Sequence, residues 1–110
     1  MITQSDFEQV ELRAGTVVDA QIFPEAKKPA IKVWVDFGPE IGIKKSSAQI
    51  AHHYTPDSLI WTQIVGVVNF PPKQIGNFIS EFLVTGFADS DGQIVLTRPE
   101  LVVANGSKLF

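Results

Sequence analysis

Between Ile31 and Phe37 the chain alternates: Ile31, Val33, Val35 and Phe37 occupy one phase, and Lys32, Trp34 and Asp36 the other. A period of two marks a strand with one buried face. Upstream, Gly15 to Phe23 carries valine, isoleucine and threonine and stops at Pro24, which has no N–H to give a sheet ladder, so it reads as a first strand. Gly38-Pro39 turns the chain, and Ile41 to Ser47 returns as a third strand, completing a hairpin. Thr62 to Phe70 holds Ile64, Val65, Val67 and Val68, a β-branched run suited to a central strand, and Pro71-Pro72 ends it. Farther on, Phe82 to Ala88 and Ile94 to Thr97 flank Asp89-Ser90-Asp91-Gly92. Asp-Gly supplies the positive backbone angles of a tight turn, which predicts another hairpin.

Helical signals are brief. Ser5 and Glu8 stand at capping-box spacing and predict a helix near residues 5–11. Thr55 followed by Pro56 offers a cap and a proline at the first helical position, which predicts a helical link between the third and fourth strands. Asn105-Gly106 marks a last turn before Leu109-Phe110. The order of elements predicts an all-β protein with short helices: a five-stranded OB-fold Greek-key barrel with an N-terminal helix and a C-terminal extension, in one domain over 1–110. An SH3-like barrel is the alternative, and the helical link favours the OB-fold.

Composition narrows the chemistry. A folded monomer of this size exposes about 6,000 Å² of surface. The chain has no cysteine, which removes disulfides, thiolate metal sites and a thiol nucleophile. No segment approaches the roughly 18 apolar residues of a membrane span, and Met1 to Asp6 lacks the pattern of a secretion signal, so a cytoplasmic protein without membrane insertion is expected. Net charge is −3, so any affinity for nucleic acid must come from a local patch.

Neither metal nor nucleophile chemistry finds a site. His52 and His53 are adjacent, so their side chains diverge and do not readily chelate one ion. Ser46, Ser47, Ser58 and Ser80 lack a nucleophile-elbow context, and no glycine-rich phosphate loop occurs. Asp89 and Asp91 read as turn formers. Hydrolase chemistry and nucleotide hydrolysis are therefore not expected. Lys27, Lys28, Lys32, Lys44, Lys45 and Lys73 are either a patch on the second- and third-strand face, where OB-folds hold extended ligands, or solvated charges that protect a sheet edge. Likewise Trp34, Phe70-Pro71-Pro72 and Phe78 either form an exposed interface or pack beneath a turn.

Several segments, in order, resemble one family: Ile43-Lys44-Lys45-Ser46-Ser47-Ala48-Gln49-Ile50, Tyr54-Thr55-Pro56, Asn69-Phe70-Pro71-Pro72-Lys73-Gln74-Ile75, Ser80-Glu81-Phe82-Leu83-Val84 and Asn105-Gly106-Ser107-Lys108. They are similar to the CsaA-type export-related chaperones, built on the tRNA-binding-domain version of the OB-fold. The resemblance implies a homodimer that binds unfolded or precursor polypeptides without catalysis or cofactor, with tRNA as the alternative ligand. The N-terminal helix and C-terminal tail are the expected dimer contact.

The implied ligand site comprises Lys44, Lys45, Asn69, Phe70, Lys73, Asn77, Phe78 and Ser80. For RNA, Asn69, Asn77 and Ser80 would donate to phosphate or sugar, the lysines would supply charge and Phe78 would stack on a base. For a polypeptide, Phe70 and Phe78 would cover exposed apolar side chains. The chain departs from its relatives at Pro71, Gln74 and Gly76, at Ile79 before the Ser-Glu pair, and at Trp61-Thr62 where they tend to have Gly-Lys. These changes remove positive charge and add apolar surface, which shifts the expectation toward polypeptide.

Overall fold

The computed structural model describes Met1–Phe110. Its elements are α1 (Gln4–Glu8), β1 (Leu12–Ile22), β2 (Ile31–Asp36), α2 (Gly38–Ile41), β3 (Ile43–Ala48), α3 (Pro56–Leu59), β4 (Gln63–Val67), β5 (Lys73–Ile75), β6 (Phe78–Ser80), β7 (Leu83–Val84), β8 (Gly86–Ala88) and β9 (Ile94–Leu96). One antiparallel sheet of five strands runs β3-β2-β1-β4-β7 and curls into a nearly closed barrel, with β5-β6 and β8-β9 as separate hairpins. This is the OB-type architecture expected from the order of strands and helix.

The long β1 is what allows the curl. Its first half pairs with β4 from Leu12 to Thr16, and its second half pairs with β2 from Thr16 to Ile22. A register shift between Val17 and Asp19 bends it between the two partners, as a bulge does. The inward phase of β2 is buried throughout, as its alternation predicts. Val17, Ile31, Val33, Val35, Phe37 and Ile64 form the interior, and Leu59 of α3 joins them from the link between β3 and β4.

Several local expectations are corrected. Thr3, not Ser5, caps α1: Thr3 Oγ1 accepts from the Asp6 N–H and Asp6 Oδ2 accepts from the Thr3 N–H, at 3.2 and 2.9 Å. Gly38-Pro39 opens the helical turn α2 instead of a plain turn, so β3 begins at Ile43. Phe82 to Ala88 is not one strand; it bends at Thr85, with β7 on β4 and β8 on β9. The β5-β6 hairpin lies where the sequence pattern predicts no strand. The Gly76-Asn77 dipeptide between Ile75 and Phe78 is its two-residue loop, with Gly76 at a φ of 62°. At α3, Thr55 and Pro56 act as the sequence predicts, with Ser58 completing the cap.

Trp61, just after α3, is the one non-glycine residue with positive φ, at 69°. It stands where the resembled family tends to have glycine. A left-handed conformation costs a side chain about 1–2 kcal/mol, and glycine's extra unfolded freedom offsets about 0.5–1 kcal/mol of the gain from replacing it. The indole is 73% exposed, so little burial is lost. Trp61→Gly is therefore expected to raise Tm by a few degrees in a thermal melt. A fall in Tm would contradict this and point to an indole covered in solution.

Candidate functional site

The barrel closes between its two end strands through a short stitch. The Glu81 N–H donates to the Lys45 carbonyl at 2.8 Å, and Glu81 Oε1 accepts from the Lys45 N–H at 3.0 Å. Beside it, Ser46 Oγ donates to the Phe82 carbonyl at 2.7 Å and lies 2.9 Å from Ser80 Oγ. The Phe82 ring meets Phe37 edge to face at 5.0 Å between centroids. Gly66 makes room for it, because a Cβ there would stand 2.7 Å from the ring. Past this stitch, between Ser47 on β3 and Leu83, Val84 and Gly86 opposite, lies a groove of about 730 Å³. Lys27 and Lys28, from the loop joining β1 to β2, line it too.

On the outer face of β2 and β3, lysines sit over aromatic rings. Lys32 Nζ lies 4.6 Å from the Phe23 ring centre and 5.1 Å from that of Phe78, and Lys45 Nζ lies 5.1 Å from Phe78. Trp34 and Phe23 both contact Phe78 edge to face. Cation–π attraction holds these ammonium groups over the ring faces while leaving them open to a ligand's negative charge.

That arrangement divides the expected site. Phe78 is only 7% exposed, beneath the two lysines, so its ring is a support for charge and not a stacking surface. Lys44 and Lys45 are split by the period of two: Lys45 pairs across from Trp34 on the outer face, and Lys44 across from Val35 on the inner one. Asn69 is committed to holding α1, since its Oδ1 accepts from the Glu11 N–H and its Nδ2 donates to the Gln9 carbonyl. Ser80 belongs to the stitch. Asn77 is exposed at the tip of the β5-β6 hairpin. Phe70, Lys73 and Ser80 do come together, lining a smaller hollow of about 310 Å³ with Leu83. Leu83 also borders the larger groove, so the two hollows meet at that side chain.

Of the groove residues, Lys27 and Lys28 stand out by charge, and Ser47, Ile50, Leu83 and Val84 fall in the segments that resemble the family. Ser47, Val84 and Gly86 contribute backbone, which composition does not mark. Elsewhere, no group of three His, Asp or Glu side chains is placed to hold a metal ion. Asp89 is a turn former as expected, its Oδ1 accepting from the Asp91 and Gln93 N–H groups at 2.9 Å. Its Oδ2 also lies 2.7 Å from His53 Nε2, tying the β8-β9 turn to the approach to α3.

Comparison with known proteins defines the class. A family model described as "Putative tRNA binding domain" matches residues 12–108, and the chain belongs to this family. The structure superposes on the chaperone CsaA of Bacillus anthracis with a TM-score of 0.93 at 48% identity, covering 100% of this chain and 99% of that one. The CsaA chaperone protein of Picrophilus torridus gives a TM-score of 0.93 at 47% identity, with 100% of each chain covered. Among curated relatives, the methionine–tRNA ligase of Porphyromonas gingivalis is 31% identical over 98% of this chain but only 15% of its own length. The resemblance to CsaA-type proteins is thus confirmed in sequence and fold.

The His53 ring holds the Asp89 carboxyl below its ordinary range, with help from the Gln93 and Asp91 amides. A carboxyl lowered in the folded state stabilises the protein above its unfolded value, about 3.9, and loses that contribution as pH falls through the lower folded value. Glu11 behaves alike, through hydrogen bonds from Lys108 and then Arg13. Thermal melts of Asp89→Asn should therefore lose less Tm than wild type on acidification below about pH 4. Equal acid slopes in the two proteins would contradict a stabilising His53–Asp89 pair.

Proposed function

We propose that this chain is a homodimeric, cytoplasmic, export-related chaperone that holds unfolded or precursor polypeptides without catalysis. The observation that carries the reading is the groove beyond the Lys45–Glu81 stitch, with apolar side chains inside and lysines at its rim, on a chain 48% identical over its full length to the Bacillus anthracis chaperone. Phe70 and Leu83 extend the apolar surface into the neighbouring hollow, and each is about half exposed, at 52% and 50%. An unfolded client has its own apolar side chains to cover, and such surface offers them shelter from water.

Surface area supports dimerisation. The chain exposes 7107 Å², about 1,100 Å² more than a monomer of this size is expected to. A standard interface takes about 800 Å² from each partner. Leu101, Val102 and Phe110 are among the exposed apolar side chains, and residues 99–110 with α1 would supply the contact.

A second reading, tRNA binding, is favoured by Lys32 and Lys45 held side by side above Phe78 and by the tRNA-binding family of the chain. The two ligands separate by salt dependence. Fluorescence anisotropy with a permanently unfolded, labelled polypeptide is expected to give saturable binding with little salt dependence. Phe70→Ala and Leu83→Ala should each weaken it by about fivefold, near 1 kcal/mol. Unchanged affinity in both variants removes the site. For tRNA, log K should fall with log salt by about 0.7–0.9 per neutralised phosphate, and Lys45→Ala should reduce that slope.

A further inference from the structure

The walls of the groove are strand edges whose backbone groups are unspent. Along an antiparallel strand, residues whose N–H and C=O face one neighbour alternate with residues that face the other. On β3 the Lys45 N–H and C=O face Glu81, away from β2. Ser47 has the same phase, so its N–H and C=O point out of the sheet edge into the groove it lines. Its carbonyl has one side-chain contact, a long one of 3.5 Å from Ser46 Oγ.

The opposite wall repeats the pattern. The Thr85 N–H donates to the Val65 carbonyl at 3.2 Å, one bond beyond the β4-β7 ladder, while the Val65 N–H donates to the Thr97 carbonyl. Val84, one residue earlier, therefore turns its N–H and C=O away from β4 and toward the groove. The Leu96 N–H goes to the Tyr54 hydroxyl at 3.0 Å, not to Gly86, so the Gly86 groups also face away from β9. Two open edges thus look at each other across an apolar interior that includes Phe23, Ile50 and Ile94.

We infer that an extended polypeptide segment binds in this groove by strand addition, its main chain pairing with Ser47 on β3 and with the Val84–Gly86 edge opposite. The inference rests on the polypeptide reading above and specifies how the client is held. Backbone pairing gives affinity that is indifferent to client sequence, and side-chain pockets then set preference. Apolar client side chains would face Ile50 and Ile94, and carboxylates would face Lys27 and Lys28. Glu25 on the same loop offsets part of that positive charge, which suits a few client carboxylates better than a continuous phosphate backbone.

The test uses a short fluorescein-labelled peptide alternating valine with glutamate, titrated with the whole protein by anisotropy, and the same peptide carrying single N-methyl groups. N-methylation removes a backbone donor and leaves the side chains alone. At central positions it is expected to raise Kd about tenfold, the scale of one or two lost hydrogen bonds. Ser47→Pro should weaken the parent peptide similarly and make N-methylation at the partner position nearly neutral, because the two changes remove the same pairing. Proline is tolerated at an edge where the N–H faces outward, so its Tm should stay close to wild type. If that variant unfolds, the N-methyl series on wild type decides alone. Parent binding that N-methylation leaves within about twofold overturns strand addition while the chaperone reading stands, since side-chain contacts alone then account for the affinity. Failure of both this peptide and the unfolded polypeptide to bind overturns both. Displacement of the peptide by tRNA with a steep salt slope assigns the groove to RNA and overturns the inference as well.

Discussion

A sheet of five strands becomes a barrel only if its ends meet, and here they meet through Glu81 and Lys45. The closure uses one backbone bond and one carboxylate-to-backbone bond instead of a full ladder. An ionised acceptor makes the second of these stronger than a neutral pair, which helps so short a stitch hold. Everything functional follows from its being short. A continuous β3-β7 ladder would use every edge donor and leave a sealed cylinder; a stitch at one end leaves the rest of both edges available. The buried Ser46 hydroxyl and the Phe82 ring, seated over Gly66, anchor the stitch in the core, so the groove beside it has rigid walls.

Open edges ordinarily invite aggregation, and proteins blunt them with charge. The lysines around this groove fit that need and a binding role together. Lys27 and Lys28 overhang the groove, whereas Lys32 and Lys45 rest over Phe23 and Phe78 on the outer face. Positive charge at the rim discourages a second identical edge from approaching while admitting a segment that brings carboxylates. Edge protection and ligand recognition are then one arrangement seen from two sides.

Much of the fold was legible in the sequence because it rests on periodicity and on a few stereochemical signals. The alternation of Ile31 to Phe37 and the Thr55-Pro56 cap act locally and appear where the pattern predicts, while the β-branched run expected over Thr62 to Phe70 forms β4 only as far as Val67. The β5-β6 hairpin leaves little mark in the sequence because three-residue strands are too short to show a period, and its Gly76-Asn77 loop is the signal that marks it. The site was less legible. Of the residues the resemblance implies, Phe70, Lys73 and Ser80 line the smaller hollow, whereas Lys45 lies over a buried Phe78 on the outer face and Asn69 holds α1, because which side of a strand or turn a side chain takes depends on the barrel's closure. The groove's hydrogen-bonding groups are backbone and leave no trace in residue identity.

The account therefore stands on the seam being shut at Lys45 and open at Ser47. Residue-resolved amide hydrogen exchange of the free protein reads this directly, since exchange protection follows hydrogen bonding and local opening. Slow exchange is predicted at Lys45 and Ser46, with fast exchange at Ser47 and Val84 that slows when the valine–glutamate peptide is added. Protection of Ser47 equal to that of Ser46 in the free protein would contradict the account, because the edge it depends on would already be paired.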